Sequence, residues 1–191
     1  MLFRSFLFQS LQSLQSHILR KQENVALSYL SNLSDVLRGI LTFSNKQTIR
    51  IETEIRFLHQ FIELERQHAA NDFSVAITCD PEVDTDDEVP TLVLQPLVEN
   101  AIKHGLTNLH GRTGALQIHF EPHSPQSLKV TICDNGVGLY AATTSSGTGN
   151  ALRIMRQRLQ RKDRINPLVI EANSNGLGVK VTVLLPLNVG E

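Results

Sequence analysis

The stretch Glu99-Asn100-Ala101-Ile102-Lys103-His104-Gly105 carries three side chains suited to a hydrated cation and to anionic oxygens. An amide oxygen such as that of Asn100 suits magnesium, which takes oxygen ligands and keeps several waters, while the Lys103 ammonium and the His104 imidazole can face phosphate. On a helix these residues fall at i, i+3 and i+4 and project from one side, with an apolar face opposite. An amphipathic helix with a solvated face would show the same spacing. Further on, Cys133-Asp134-Asn135-Gly136-Val137-Gly138 places a carboxylate at the end of the alternating run Leu128-Lys129-Val130-Thr131-Ile132. That run is predicted to be a half-buried strand. A carboxylate only accepts hydrogen bonds, so Asp134 could take one from the exocyclic amine of a purine, while Gly136 and Gly138 let a flat ligand come close. An Asp-Asn-Gly-x-Gly sequence is equally a turn.

Two more glycine clusters follow. Ser145-Ser146-Gly147-Thr148-Gly149-Asn150 leads into the basic helical pattern Ala151 to Leu159, and a loop opening onto a helix offers free N–H groups to phosphate. Asn175-Gly176-Leu177-Gly178 precedes the apolar run Val179 to Pro186 and reads equally well as a hairpin turn. Each Gly-x-Gly alone is a weak signal.

In this order the four motifs resemble the GHKL ATPases, the fold of gyrase, heat-shock-90 chaperones, histidine kinases and MutL. The N box corresponds to Asn100 to His104, and the glycine boxes to Asp134 to Gly138, to Gly147 and Gly149, and to Gly176 and Gly178. The run Pro90-Thr91-Leu92-Val93-Leu94-Gln95-Pro96-Leu97-Val98-Glu99-Asn100-Ala101-Ile102-Lys103-His104-Gly105 is similar almost letter for letter to LytS-like sensor histidine kinases. The resemblance extends from about Leu11 to Pro186 and implies an α+β chain. A helical hairpin for dimerisation and phosphoacceptance (residues 1–72) would precede an α/β sandwich of the GHKL, or Bergerat, type (residues 73–191). It implies ATP and Mg2+ as cofactors, with Asn100 on the metal, Lys103 and His104 near the phosphates, Asp134 on adenine amid Gly136 and Gly138, and Gly147 and Gly149 wrapping the triphosphate.

The elements that must position these residues read as follows. Helical spacing runs from about Phe6 to Leu41, through Leu11, Leu14, Ile18, Leu30, Leu33, Leu37 and Leu41, and a second helix from about Glu52 to His68. Two such helices cannot bury their broad apolar faces alone, so a homodimer with a four-helix bundle is expected, as in the family. Strands are predicted at Phe73 to Cys79, Leu116 to Phe120, Leu128 to Cys133, Leu168 to Glu171 and Val179 to Leu185. The acidic stretch Asp80 to Glu88 is predicted to be a solvated connection, and Tyr140 to Asn150 a lid over ATP. In 191 residues, 41% apolar, there is enough for one large or two small domains. A net charge of −1 with no basic tract argues against a nucleic-acid binder. Cys79 and Cys133 fit neither a disulfide framework nor a zinc site, so a cytoplasmic setting is expected. The apolar start, Met1 to Phe8, is too short to span a bilayer. Membrane association would then come through a sensor region missing from this chain or through a partner.

In the family a histidine in Pro-His-Phe-Leu-Phe-Asn accepts the phosphoryl group; here Ser16-His17-Ile18-Leu19-Arg20-Lys21 keeps only the histidine and the leucine. A neutral imidazole is a competent nucleophile toward a γ-phosphate held in line. The resemblance implies a sensor histidine kinase core that autophosphorylates on His17 and hands the group to a response regulator, of the LytTR type by family likeness. The altered residues around His17 leave open a dimeric ATP-binding scaffold that signals by shape. A protein-serine kinase is a third option, which the dimerisation helix disfavours.

Overall fold

A computed structural model describes residues 2–67, 72–106, 109, 111–138, 167–173 and 177–187. The first helix, α1 (Leu2–Leu19), ends in a turn in which the Gln22 N–H donates to the His17 carbonyl and the Lys21 N–H to that of Ile18, both at 3.0 Å. This pair of bonds closes a helix through one left-handed residue, and Lys21, at φ 58°, is that residue. The second helix, α2 (Glu23–Ser44), starts immediately afterwards. The expected single helix is therefore two. The break falls in Arg20-Lys21-Gln22-Glu23-Asn24, where no apolar residue breaks step and no glycine or proline marks a stop.

Ala26, Tyr29, Leu33, Val36, Ile40 and Phe43 form the buried face of α2, spaced alternately by three and four. That face packs against α1 on one side and α3 (Ile51–Arg66) on the other. Phe6 of α1 reaches Phe61 of α3, with ring centroids 5.7 Å apart. The region before residue 73 thus contains three helices instead of a two-helix hairpin. A short strand, β1 (Thr48–Arg50), leads into α3 and pairs antiparallel with β3 (Glu88–Pro90). The acidic connection is more than a solvated link: the carbonyls of Asp87 and Thr85 accept from the N–H groups of Ile51 and Glu52, at 2.9 and 3.0 Å. They satisfy donors that a helix start leaves orphaned.

A five-stranded sheet follows, built of β2 (Phe73–Cys79), β4 (Gly114–Ser124), β5 (Ser127–Asp134), β6 (Leu168–Ala172) and β7 (Val179–Pro186). Its strand order is β2-β4-β5-β7-β6. β2 runs parallel to β4, the other pairs are antiparallel, and the β2–β4 crossover carries α4 (Gln95–Asn100). After Asn100 the chain widens into a π-helical turn, Ala101–Gly105. Alternate residues of the central strands, Leu116, Ile118, Phe120, Leu128, Val130, Ile132, Val183 and Leu185, point to one fully buried face. This is the mixed helix-and-sheet class that the motifs imply. Among the described residues, no helix is long and apolar enough to cross a membrane.

Candidate functional site

The alternation of β5 decides where Asp134 goes. Leu128, Val130 and Ile132 are buried, and two residues further the same period carries a carboxylate into the interior, 4% exposed. Its Oδ1 accepts from the Gly136 N–H at 2.9 Å and from the Val179 N–H at 3.3 Å. With both bonds on one oxygen, Oδ2 is the atom able to accept from a ligand amine. Burial raises the Asp134 pKa, and the two backbone donors work against that rise.

Three glycines from distant parts of the sequence close around this carboxylate. A Cβ on Gly136 would lie 2.1 Å from the Gly105 carbonyl oxygen, one on Gly105 2.8 Å from Asp134 Oδ1, and one on Gly178 2.0 Å from the Asp134 carbonyl oxygen. The Val137 N–H donates to the Gly105 carbonyl at 3.1 Å, tying the N box to the first glycine box. The Asn173 amide donates to the Asp134 carbonyl at 3.3 Å. Gly136 and Gly178 therefore lack a side chain because protein backbone approaches them, a different reason from ligand access. Gly138 and Gly178 are both at φ +80°, a conformation that calls for glycine, but a Cβ on Gly138 would have no atom nearer than 3.8 Å, so conformation alone accounts for that glycine.

The N-box side chains differ in exposure and partners. Asn100 is half-buried, and His104, in the π-helical turn, is exposed. Lys103 turns to the helical region: its ammonium donates to Glu99 Oε1 at 2.8 Å and to Gln9 Oε1 of α1 at 2.5 Å. Glu99 is buried, as is the neighbouring Glu65. Burial pushes the Glu65 carboxyl up to about 7, with Lys103 opposing and Glu99 adding to the rise. The i, i+3, i+4 expectation presumes an α-helix; a π turn holds more residues per turn and rotates the side chains out of that register.

His17 stands in the last turn of α1, half-buried. Its Nδ1 is 3.1 Å from Gln22 Oε1, and its ring lies 5.8 Å from that of the fully buried Tyr29, tilted 45°. Burial pushes the Tyr29 hydroxyl up to about 12, so Tyr29 stays neutral. Gln9, Gln22 and Tyr29 do not stand out in the sequence, because contact with a site residue leaves no periodic trace. Gly147, Gly149 and Gly176, the lid Tyr140 to Asn150 and the basic helix after it lie outside the described residues. Among the described residues, no group of three His, Cys, Asp or Glu is placed to hold a metal. A cavity of about 400 Å3 at the other end of the sheet is lined by Ile51, Val83, Asp84, Asp87, His123 and Leu187 among others, and holds none of the predicted site residues.

Comparison with known proteins agrees with this arrangement. The model of the histidine kinase-, DNA gyrase B-, and HSP90-like ATPases matches residues 85–189, and a histidine kinase model matches residues 4–73. The chain belongs to the histidine kinase-, DNA gyrase B- and HSP90-like ATPase family, with a histidine kinase region ahead of the ATPase fold, as in LytS-like kinases. Sensor protein kinase HptS of Staphylococcus aureus strain USA300 is 29% identical over 135 residues. That match covers 70% of this chain and 24% of HptS, so the chain spans about a quarter of the length of such curated relatives. The histidine kinase domain of the Erythrobacter litoralis EL346 blue-light activated histidine kinase shares the fold. It is 17% identical, with a TM-score of 0.55 over 93% of this chain and 90% of that one. The mycobacterial sensor histidine kinase MprB is 15% identical, with a TM-score of 0.50 over 74% of this chain and 97% of that one.

Proposed function

We propose that this chain is the ATP-dependent kinase core of a two-component sensor, phosphorylating His17 and passing the group to an aspartate of a response regulator. Residues 1–72 form the dimerisation and phosphoacceptor region, and residues 73–191 the ATP-binding domain. The observation that carries the reading is Asp134: a buried carboxylate, locked by Gly105, Gly136 and Gly178, with both backbone bonds on one oxygen. That chemistry fits the amine of adenine.

Asn100 would share a magnesium ion with phosphate oxygens, consistent with an ion that keeps most of its ligands outside the protein. The ion would neutralise charge on the triphosphate. Lys103, once released from Glu99 and Gln9, and His104 approach the phosphates, and Gly147 and Gly149 wrap them. In the transfer, an imidazole nitrogen lone pair of His17 bonds to the γ-phosphorus. The bond from that phosphorus to the bridging oxygen breaks, and ADP leaves with the electron pair. Gln9, which contacts Lys103, and His17 are eight residues apart on α1, about 12 Å along the axis. Transfer in this reading therefore needs a rearrangement of the helices against the ATP-binding domain. The exposed Phe8, Leu11, Ile18 and Leu19 of α1 and Leu27, Leu30 and Leu41 of α2 support a homodimer built on these helices. A regulator of the LytTR type fits the family likeness, and so does a cytoplasmic setting.

Incubation with γ-labelled ATP tests the reading. Label on the protein that is lost in acid, survives alkali and disappears in His17→Gln is the expected result. No label under saturating ATP would instead support the non-catalytic scaffold, and acid-stable label a serine kinase.

A further inference from the structure

We propose that Gln22 is a positioning residue for His17: its side-chain oxygen takes the Nδ1 hydrogen and leaves the lone pair on Nε2, the nitrogen that receives the phosphoryl group. That a phosphoryl group arrives at Nε2 rests on the kinase reading above; the tautomer does not.

Gln22 is bonded to His17 at two points. Its backbone N–H donates to the His17 carbonyl at 3.0 Å, and its Oε1 lies 3.1 Å from Nδ1. A side-chain carbonyl oxygen can only accept, so Nδ1 must carry the hydrogen and Nε2 the lone pair. An isolated neutral imidazole favours the opposite tautomer, so Gln22 reverses a default. The backbone bond exists only because Lys21 takes a left-handed conformation, φ 58°, which lysine adopts with strain. That left-handed residue closes α1 and stands between the two residues it brings together. The ring of Tyr29, fully buried and 5.8 Å from that of His17, restricts the imidazole from another side.

The consequence for transfer follows from charge. As the Nε2–phosphorus bond forms and the bond to the departing ADP oxygen breaks, the ring gains positive charge while its proton stays on Nδ1. The Gln22 carbonyl dipole faces that proton and stabilises the charge as it develops. A carboxylate at position 22 would do so at least as well, whereas an alkyl group of similar length would not.

The test uses the full chain with 15N-labelled histidine at about pH 8, where ordinary imidazoles are neutral. The His17 signals are assigned by their loss in His17→Gln. Gln22 is exposed, so its variants should fold. The wild type should show the Nδ1–H tautomer, Gln22→Leu should shift His17 to Nε2–H, and Gln22→Glu should keep Nδ1–H. A wild type that is mainly Nε2–H, or a tautomer ratio indifferent to Gln22→Leu, overturns the proposal. With γ-labelled ATP at saturation, Gln22→Leu should slow labelling at least about tenfold with nucleotide affinity unchanged, and Gln22→Glu should restore it. A Gln22→Leu rate equal to wild type overturns the catalytic half. A wild type that takes no label refutes the kinase reading instead, and the tautomer ratio, measured without nucleotide, still decides whether Gln22 positions the ring.

Discussion

At the scale of single residues, the glycines around Asp134 separate two jobs that look alike in a sequence. Gly136→Ala drives a methyl into the Gly105 backbone, so it should destabilise the fold by about 3 kcal/mol, the upper end of overpacking costs. Gly138→Ala meets no neighbour and should cost only about 1 kcal/mol, from its positive φ. Denaturant melts of the two variants check the contrast; equal losses would mean that the N box and the first glycine box do not touch as described. Lys21 runs the other way. The family motif has asparagine here, a residue that tolerates the left-handed region, so Lys21→Asn should stabilise the chain by up to about 1 kcal/mol. A lower melting temperature for Lys21→Asn would contradict the turn geometry. Asp134 itself was legible in the sequence, because the alternation of β5 counts forward into it. What the glycines pack against was not, since Gly105, Gly136 and Gly178 meet only in three dimensions.

Helices carry the charge whose burial the sequence conceals. Glu52 and Glu54 both sit in the first turn of α3, where acidic residues suit the helix dipole. Glu52 pairs with Arg56 at the surface, while Glu54 is buried with neither oxygen hydrogen-bonded. Burial pushes the Glu54 carboxyl from 4.5 up to about 8. In that range the folded chain binds a proton that the unfolded chain releases. The stability due to this group is therefore fully present below pH 4.5 and is lost as pH rises toward about 8, at no more than about 1.4 kcal/mol per pH unit. Glu65, raised to about 7, acts in the same direction. Glu54→Gln should remove much of this dependence, so its stability gain over wild type should grow between pH 5 and 8 in parallel denaturant titrations. A gain that stays flat would place Glu54 in water, and one that shrinks as pH rises would place it beside a cation. Periodicity gave the helical character of α2 and the alternation of the sheet strands, but of the stripe Leu30, Leu33, Leu37 and Leu41 only Leu33 is fully buried, and Leu30 and Leu41 are exposed. It missed the break at Lys21 because polar residues fill it. It also missed the pairing of β1 with β3, because three-residue strands are too short to show a period.

Across the whole molecule the helical region and the sheet region share an apolar core and the β1–β3 pairing, and a polar contact adds to them. Lys103 of the N box holds Gln9 of α1 and the buried Glu99, so the N-box turn and the helix bearing His17 meet at a charged contact. The apolar residues left exposed on α1 and α2 point to a second copy of the chain. Paired Leu27→Glu and Leu30→Glu substitutions should give a monomer by sedimentation with nucleotide affinity kept; a variant that stays dimeric would move the interface elsewhere. The family architecture was legible because its four motifs stand in order along the chain. The contact was not, because Gln9 carries no motif and Lys103 reads as facing phosphate.

Every functional reading of this chain depends on Asp134 recognising adenine, and calorimetric titration with magnesium nucleotides measures that directly. ATP should bind and GTP, which presents an acceptor where adenine presents its amine, should bind far more weakly. Asp134→Ala should weaken ATP binding at least about tenfold, the loss of a charged hydrogen bond worth on the order of 1.5 to 3 kcal/mol. Equal affinity for ATP and GTP, or an unchanged affinity in Asp134→Ala, would remove Asp134 from the nucleotide site and the kinase assignment with it.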